Sequence, residues 1–547
     1  MKTKTNILFF CFSLLFLSSC EDILKEKPLS LTTADFYYST PSGLEDGLKA
    51  AYDNFRDFYG QERGFTMTDV GTDIWTAGSG TYSQHPHFND YNINFPSTDD
   101  FLRDVWNSFY VGINQCNAVI GRAPDVKGLD EQTKNRIMGE ARFLRALNYF
   151  HLVQQWGDVH FSLDETIGVE TEANRTPAQM IYDQGIIPDL EFAINNLPES
   201  TTDYGRVTKP AAQALFARVN LTLENWSQAE TLAKSVINDY NFQLIESISD
   251  LWDINNEVND EIIWAIQFTS DPLTNDKGNA AHMYFHASYN RCPAVARSIE
   301  YGLNWSRYQP TNYLIKIFDK ERDARWIEGW RLVWFANTKA KINGKTVNIG
   351  DTAMVIVTYP VDDAIQKTVP YWLIDFNDKW VGNPPSTLEI GALERRLYPT
   401  LLKHEDPLRP SANYSQGRRD IFVFRLAEMY LIAAEAAWRQ NKSAEAAGYI
   451  NVLRTRAAIE GKEAEMQVGA SDINLDFILD ESARELCGEM NRWYDLKRTG
   501  KLIERVKLYN LDATPNIKEM HLVRPIPQTQ IDRVTNPDVF FQNPGYL

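Results

Sequence analysis

The clearest hydrophobic pattern in the chain lies near its C-terminus, over residues 422–459. Apolar residues recur there at the three-and-four spacing of two helices, which a short polar turn separates. A charged stripe on the first helix places Arg425 near Glu428 and Glu435 near Arg439. The short turn predicts an antiparallel hairpin, whose many alanines allow close approach of the backbones. Because one hairpin cannot bury its own apolar faces, we predict a stack of hairpins of the tetratricopeptide kind.

Other stretches repeat this periodicity and predict a mainly α fold. The patterns over 209–224 and 227–240 form a second alanine-rich hairpin. The tail from 521 to 547 is extended and proline-rich, and we expect it to wrap around the body. The remaining predicted helices cover 42–59, 101–122, 131–155, 177–197 and 475–498.

Two segments lack lasting helical periodicity. Residues 64–96 are rich in glycine, asparagine, aspartate, serine and aromatic residues, which is typical of a long ordered loop. Residues 256–417 form an irregular insertion with short strand-like runs at 261–268, 354–359 and 371–376. Function concentrates on such loops when a rigid scaffold positions them.

The first residues predict export and a lipid anchor. Residues 1–19 combine Lys2 and Lys4 with a short apolar run, which is the pattern of a secretory signal peptide. The run ends in LSSC, which resembles a bacterial lipobox with Cys20 as the lipidated residue. Acyl chains on Cys20 anchor an otherwise soluble protein to a membrane. The acidic pair at 21–22 is similar to the export signal of lipoproteins on the outer face of the outer membrane.

We divide the mature chain into three parts of one compact domain. The N-terminal helical-repeat part covers 20–255 and includes the long loop 64–96. The insertion at 256–417 is the predicted ligand-binding region. The C-terminal helical-repeat part, with the extended tail, covers 418–547.

Composition excludes several classes of partner and site. The chain has 55 basic and 73 acidic residues and a net charge of −18, which argues against nucleic acid and anionic lipid as ligands. Its five cysteines are scattered without C-x-x-C spacing, so we expect neither a disulfide framework nor a metal cluster. The sequence contains no glycine-rich phosphate loop and no G-x-S-x-G nucleophile motif. This balance suits an outward-facing protein that binds neutral ligands.

Several segments, taken in order, resemble the SusD/RagB-type nutrient-binding outer-membrane lipoproteins of Bacteroidetes. The resemblance spans nearly the whole chain and includes a small D-x-R element at 323–325. The loop 64–96 and the insertion resemble the corresponding family segments in their general character, without matching a sequence motif. The main segments are LSSC (17–20), ARFLRALNYFHLVQQWGDV (141–159), RLAEMYLIAAEA (425–436), VLRTRA (452–457), DESARELCGEMNRWYDL (480–496), and RPIPQTQI with QNPGY (524–546).

This resemblance implies a fold, a location and a partner. The fold is four tetratricopeptide-type hairpins that carry a loop-rich ligand-binding region with short β-strands. The location is the outer membrane, through a lipid anchor, facing the cell exterior. The implied partner is a SusC-like TonB-dependent barrel, over which the lipoprotein sits as a lid. The usual ligand is an oligosaccharide or polysaccharide that rests on an arc of aromatic side chains and is passed to the barrel.

Aromatic residues in loops are the candidates for glycan binding. A sugar ring presents apolar C–H faces to Trp or Tyr, and its hydroxyls need polar partners at the rim. Trp326, Trp330 and Trp334 have the spacing of a buried helix stripe, but Trp330 stays a candidate because Gly329 precedes it. The candidate ligand-binding residues are Trp75, Tyr82, Tyr284, Tyr289, Asn290, Arg291, Trp305 and Trp330.

Metal and catalytic signals are weaker. His85 and His87 flank a proline and have no third ligand nearby in the sequence, so we interpret them as ordinary loop residues. Residues 253–259 have the odd-position spacing of a calcium loop but lack its glycine and its closing glutamate. We therefore assign no metal and no cofactor, and a structural calcium ion elsewhere stays open. No two carboxylates are marked as a glycosidase pair, since their separation is set in three dimensions.

We therefore predict a surface-exposed glycan-binding lipoprotein, not an enzyme, which delivers oligo- or polysaccharide to a SusC-like transporter. One alternative keeps the complex but changes the cargo to peptide or another nutrient. A second alternative is a surface glycoside hydrolase on a helical scaffold. A third, a scaffold that grips a peptide in its concave face, is disfavoured because alanine-rich inner surfaces leave little room for a peptide.

Overall fold

The computed structural model describes residues 37–79, 84–92, 95–376 and 395–546. The predicted signal peptide, the lipidation site Cys20 and the candidate ligand residue Tyr82 lie outside the described residues, so these assignments stay predictions. None of the described helices is long and apolar enough to span a bilayer.

Helices dominate the described chain, and the prediction of a mainly α fold is confirmed. The eight scaffold helices are α1 (Pro41–Asp53), α2 (Asp100–Arg122), α3 (Glu131–Trp156), α4 (Ile187–Asn196), α5 (Lys209–Thr222), α6 (Trp226–Asn238), α7 (Leu426–Arg439) and α8 (Ser443–Arg456). They pack in chain order as four pairs, α1 with α2, α3 with α4, α5 with α6 and α7 with α8. Each pair packs against the next through α2 with α3, α4 with α5, and α6 with α7. This is the arrangement of a tetratricopeptide-like stack.

Local sequence determines where several of these helices begin and end. The side chains of Thr40, Asp99 and Asp130 accept hydrogen bonds from the first free backbone N–H groups of α1, α2 and α3. Gly157 ends α3 with a φ of 74°, a conformation that glycine adopts without steric cost. The described chain outside the scaffold helices lies mainly between α1 and α2, between α6 and α7, and after α8.

Further helices occupy parts of the chain outside the scaffold helices. The predicted loop at 64–96 is therefore more regular than its composition suggested, and the predicted helix at 475–498 is two helices. The further helices are Glu62–Thr68, His87–Asp90, Ala178–Ile181, Ile248–Leu251, Asn312–Ile317, Ala324–Gly329, Asp363–Thr368, Glu463–Met466, α9 (Leu475–Leu486), Arg492–Arg498, α10 (Leu502–Tyr509) and Gln528–Ile531. A π-helical turn at Tyr182–Ile186 leads into α4.

Short strands form small sheets in and around the insertion. The strands are β1 (Trp75–Ala77), β2 (Ile262–Ile266), β3 (Tyr308–Pro310), β4 (Trp330–Arg331), β5 (Val333–Phe335), β6 (Ala340–Ile342), β7 (Lys345–Val347), β8 (Thr352–Val357), β9 (Trp372–Asp375), β10 (Thr400–Leu401) and β11 (Ile421–Arg425). Antiparallel pairs join β1 to β3, β4 to β10, β2 to β11 and β6 to β7, and β8 lies between β5 and a parallel β9.

Strand β11 corrects the start of the predicted hairpin at 422–459. The run from Ile421 to Phe424 is buried and pairs with β2, so α7 begins only at Leu426. A run of β-branched and aromatic residues forms a strand where a partner strand is available, whatever helical spacing it also fits. The second half of the prediction, an antiparallel partner helix after a short turn, is confirmed by α8.

A buried network of charges ties the insertion to the helical scaffold. Glu485 of α9 lies 2.7 Å from Arg425 and 2.9 Å from Arg325, and it also bonds Arg456. Arg425 in turn lies 2.8 Å from Glu261, next to β2. Although burial favours the neutral acid, the three arginines hold the pKa of Glu485 well below its usual range. Four of the segments that carry the family resemblance, at 323–325, 425–436, 452–457 and 480–496, therefore meet in one buried joint.

The charged side chains of α7 pair with residues of neighbouring elements more closely than with one another. Glu428 lies 2.7 Å from Arg218 of α5, so its predicted pairing along the helix is wrong. Glu435 lies 2.8 Å from Arg498 but 3.8 Å from Arg439, the predicted partner. Helical spacing brings side chains within reach, but buried carboxylates take the partner that packing brings closest.

The C-terminal tail packs along the body, as predicted. The backbone N–H of Arg524 donates to the Gln155 carbonyl oxygen at 2.7 Å. The Asn543 side chain donates to the carbonyl oxygen of Trp156 at 2.9 Å. Both acceptors lie in the last turn of α3, so the tail covers the end of that helix.

The tryptophan series in the insertion is buried but is not a helix stripe. Trp326, Trp330 and Trp334 retain 5%, 4% and 0% of their surface exposed. The helix that begins at Ala324 ends at Gly329, and the next two tryptophans lie in strands β4 and β5. Burial was predicted correctly from the apolar spacing, whereas the helix was not, because strand pairing with β10 and β8 decides the backbone.

Candidate functional site

Strands β1 and β3 bring the loop at 64–96 against the insertion. They pair in antiparallel register, and just beyond β1 the Gly78 N–H donates to the Arg307 carbonyl oxygen at 2.7 Å. A Cβ on Gly78 would lie 2.2 Å from the carbonyl oxygen of Ser306, so glycine is required for this close approach. The pairing therefore fixes the segment that carries Trp305 beside the chain that leaves β1.

Four predicted ligand residues lie in this region but are buried, which corrects their role as a stacking platform. Trp75 is completely buried and stacks on Trp330, with ring centroids 6.0 Å apart. Its ring also meets Phe285 edge-on at 4.9 Å. Tyr284 and Tyr289 retain 2% and 0% of their surface exposed. Because a folded loop buries its large rings in a local core, these residues support the surface from below and offer no face to a sugar.

Trp305 is the predicted aromatic residue that reaches the surface in the described part of the chain. It keeps 41% of its surface exposed. Its backbone N–H donates to the Met283 carbonyl oxygen at 2.9 Å. The guanidinium carbon of Arg307 lies 5.1 Å from the indole centroid, and the Tyr284 ring lies 6.4 Å away. The protein thus supports one side of the indole, and the remainder faces solvent.

Beneath Trp305, Arg307 is held in place by a buried carboxylate. Nε of Arg307 lies 2.8 Å from Oε1 of Glu62, and both side chains are largely buried. Burial raises the pKa of Glu62, and the neighbouring charges of Arg307 and His85 oppose that rise. This ion pair positions the cation under the exposed indole.

A chain of amide and guanidinium groups lies beside Trp305. The Asn304 side chain donates to Oδ1 of Asn290 at 2.8 Å. Arg297 donates to Oδ1 of Asn413 at 2.9 Å and to Oδ1 of Asn304 at 3.4 Å. Sequence reasoning found Asn290 but missed Arg297 and Asn413. The last two lie 116 residues apart, and no local pattern signals their contact.

Two further arginines give this rim positive charge. Arg291 is exposed, as a ligand-contacting residue must be. The Ser288 N–H donates to the Arg396 carbonyl oxygen at 2.6 Å, which places Arg396 in the same neighbourhood. Burial and the nearby charge of Arg291 lower the pKa of Arg396. Nε of Arg396 is buried and has no hydrogen-bond partner among the described residues, whereas the exposed Arg291 side chain keeps donors for the hydroxyl or carboxylate oxygens of a ligand.

A cavity of about 810 Å³ between α1 and β2 is a rival site. Its arginines already have partners, since Arg56 lies 3.0 Å from Asp53, and Arg206 is also paired with acidic residues. The same guanidinium groups cover the cavity's rings, at 5.6 Å from Phe268 and 5.8 Å from Tyr52. The cavity therefore offers a ligand fewer free groups than the surface around Trp305.

Glu257 and Asp420 are neighbouring carboxylic acids with raised pKa values, so an acid–base role must be considered for them. Burial raises the pKa of Glu257 to about 7 and that of Asp420 to about 6, a range used by catalytic acids. However, Glu257 accepts the Asp420 N–H at 2.9 Å, and Asp420 accepts the Phe268 N–H at 2.8 Å. These bonds give both carboxylates a structural role at the edge of β2 and β11.

The fold and the surface around Trp305 together define a tetratricopeptide-like scaffold that presents a loop-built polar and aromatic surface. Comparison with known proteins places this chain more closely. The SusD family model matches residues 260–546, and a second model, described as starch-binding associating with outer membrane, matches residues 26–221. The first match covers more than half of the chain, so the chain belongs to the SusD family, as the motifs predicted.

Named relatives agree with this membership. A SusD-like protein of Formosa agariphila is 27% identical over 544 residues, which is 96% of each chain. The starch-binding protein SusD of Bacteroides thetaiotaomicron is 24% identical over 439 residues, or 77% of this chain and 74% of SusD. A laminarin-binding SusD-like protein of known structure is 22% identical, covers 93% of this chain and all of its own, and superposes with a TM-score of 0.66. At this identity the structural likeness establishes the fold.

Proposed function

We propose that the protein is a non-enzymatic, surface-exposed lipoprotein that captures an oligosaccharide or polysaccharide through the surface around Trp305. The single observation that carries this proposal is the half-open indole of Trp305, backed by Arg307 and bordered by amide and guanidinium groups. A sugar stacks its C–H face on such a ring and directs its hydroxyls to the polar rim. Membership in the SusD family, with starch- and laminarin-binding relatives, supports a glycan as the ligand.

Delivery to a transporter is the second part of the proposal. The LSSC sequence at the predicted lipobox supports anchoring through Cys20 in the outer membrane, facing the cell exterior. The family description of association with the outer membrane supports the same location. A SusC-like TonB-dependent barrel is the proposed partner that receives the glycan. Co-purification of such a barrel with the tagged protein from native membranes tests this step, and recovery of the protein without a barrel contradicts it.

A glycan array tests ligand capture directly. We expect the purified mature chain to retain one class of oligo- or polysaccharide, and calorimetry then gives its Kd. Trp305→Ala should raise that Kd at least about tenfold, or about 1.4 kcal/mol, because a central aromatic contact is lost. Tyr359→Ala is the control, since Tyr359 is a 63% exposed aromatic residue two residues beyond the C-terminal end of β8. Unchanged affinity in Trp305→Ala would overturn the assignment of the surface.

The alternative functions are separated by different measurements. A surface glycoside hydrolase would release reducing sugar from the retained glycan, and Glu257→Gln would abolish that release. We expect no release from either protein. If the array retains nothing while a peptide library does, the cargo is peptide and the proposed ligand class is wrong.

A further inference from the structure

His85 and His87 converge on one oxygen of Asp99. Nδ1 of His85 and Nε2 of His87 each lie 2.9 Å from Oδ2 of Asp99. All three ligand atoms lie within 4.8 Å of one another. The three side chains keep only 12%, 9% and 5% of their surface exposed. The third ligand that is missing next to the histidine pair in the sequence is therefore supplied by the residue before α2.

Asp99 is fixed in place by its role at the start of α2. Its Oδ1 accepts hydrogen bonds from the N–H groups of Phe101 at 2.8 Å and Leu102 at 3.3 Å. Oδ2 points to the other side and accepts a hydrogen bond at 2.9 Å from each of the two imidazoles. Partners of this kind orient a metal-ligating carboxylate in advance of binding.

Aromatic rings hold the two imidazoles. The ring of His85 stacks on Phe101, with centroids 3.7 Å apart and planes at 22°. The ring of His87 lies 4.7 Å from Phe95 and 5.0 Å from Phe88. Packing on these rings restricts the imidazole orientations, so the ligand atoms are organised before any ion binds.

We propose that His85, His87 and Asp99 bind a divalent transition-metal ion of the zinc class. Two imidazole nitrogens and one carboxylate oxygen form a ligand set that zinc uses in proteins. Bonds of about 2.0–2.1 Å in a tetrahedron separate neighbouring ligand atoms by about 3.3 Å. The two observed separations of 2.9 Å reach that value when each side chain moves outward by a few tenths of an ångström. A water molecule or Asp100, whose Oδ1 lies 3.9 Å from Nδ1 of His85, completes the coordination.

The ion would clamp the segment that follows β1 to the start of α2. We assign the site a structural role. The assignment does not depend on the identity of the glycan or on glycan binding.

Calorimetric titration of the chelator-treated mature chain with Zn²⁺ alone tests the site. We expect one equivalent of Zn²⁺ per chain and a higher melting temperature with the ion than without it. Asp99→Asn should weaken Zn²⁺ binding at least about tenfold. Loss of a residue that only hydrogen-bonds to a metal ligand already costs about that much, and Asp99 is proposed as a ligand itself. This variant keeps an oxygen that caps α2, so it tests ligation without removing the cap. Unchanged affinity in Asp99→Asn would overturn the proposal.

His87→Gln and His160→Gln form the second, matched comparison. His160 lies outside the cluster and is partly exposed. If Zn²⁺ binds adventitiously to an accessible histidine, His160 is a candidate for that binding. We expect His87→Gln to lose the binding and His160→Gln to keep it, and the reverse result would overturn the proposal. Circular dichroism checks that each variant is folded. If His87→Gln is unfolded, the affinity of Asp99→Asn for Zn²⁺ is the test of the proposal. Addition of Co²⁺ should give the intense visible absorption of tetrahedral coordination, and its absence would contradict the geometry.

Discussion

The buried joint of the scaffold and the surface around Trp305 use arginine in opposite ways. In the joint, Arg425 and Arg325 are almost completely buried and each lies within 3 Å of at least two carboxylates. At the surface, Arg297 bonds only to amide oxygens, and Arg291 is exposed without a carboxylate partner among the described residues. The chain carries an excess of acidic residues, yet Arg297 and Arg291 have no carboxylate partner in the described part of the chain, in contrast to the buried Arg307 beneath them.

The difference shows which charges hold the molecule together and which are available to a ligand. A buried arginine without a carboxylate would carry a large desolvation cost, so the joint must be fully paired. An exposed arginine has no such cost and keeps its donors free. The joint and the surface therefore respond differently to substitution, and the following experiments measure that difference.

The largest expected effect is in the joint. Glu485→Gln leaves Arg325, Arg425 and Arg456 without their shared carboxylate, and we expect a loss of about 3–5 kcal/mol in the free energy of unfolding. Urea denaturation followed by circular dichroism measures it. Glu465→Gln is the matched control, because Glu465 pairs with Lys462 at the surface and its removal should not change the midpoint. A stable Glu485→Gln protein would contradict the structural role of the network.

Substitution of a buried tryptophan near the ligand-binding surface should lower the free energy of unfolding by a similar or slightly smaller amount, and an exposed tryptophan nearby serves for comparison. Trp75→Ala removes a completely buried ring that packs on Trp330 and Phe285, and it should cost about 3–5 kcal/mol of stability. Trp305→Ala removes a half-open ring and should leave the urea midpoint nearly unchanged. Equal losses in both variants would contradict the assignment of one to the core and the other to the ligand-binding surface.

The pH dependence of stability is a second property by which the buried joint can be tested. The pKa of Glu485 is lower in the folded protein than its ordinary value of 4.5. Its contribution to stability is therefore complete above that value and is lost as the pH falls through the lower folded pKa. Unfolding free energies measured between about pH 6 and pH 3 should fall more steeply for the wild type than for Glu485→Gln. Parallel curves would show that Glu485 does not carry this pH dependence.

The smallest expected effect is at the rim. Arg291→Ala should weaken glycan binding by about 0.5–1.5 kcal/mol, which is roughly two- to twelvefold in Kd, because one hydrogen-bonding group is lost. Stability should not change, since the side chain is exposed. Arg533→Ala, which removes an exposed arginine on the C-terminal tail, is the control for charge alone. An equal loss of affinity in both variants would indicate a general charge effect in place of a local contact.

Helix positions were largely predictable, because the spacing of apolar residues is a local property. The boundaries of α2 and α5 differ from prediction by one or two residues. Prediction failed where a distant segment decided the local structure. Ile421–Phe424 forms a strand because β2 lies beside it, and Glu428 pairs with Arg218 because α5 packs on α7.

The candidate site was predicted only in part, and the reason is burial. Trp75 and Trp305 both appeared as tryptophans in glycine-bearing or irregular segments, and composition does not tell a buried ring from an exposed one. Asp99 could not be matched to His85 and His87, since its carboxylate meets them only when the turn before α2 folds back. The same holds for Asn413 at the rim.

The sequence by itself determined the helical repeat, the predicted lipobox and the family, because each rests on residue patterns within single segments or on the order of those segments along the chain. Tertiary structure alone decided which rings are exposed, which arginines are paired, and where two histidines meet a carboxylate. These properties depend on distances between segments far apart in the chain, and solvation and ion pairing both act through such distances. The hairpin over 422–459 is therefore part of the scaffold, and the folded connections of that scaffold build the surface proposed to contact the ligand.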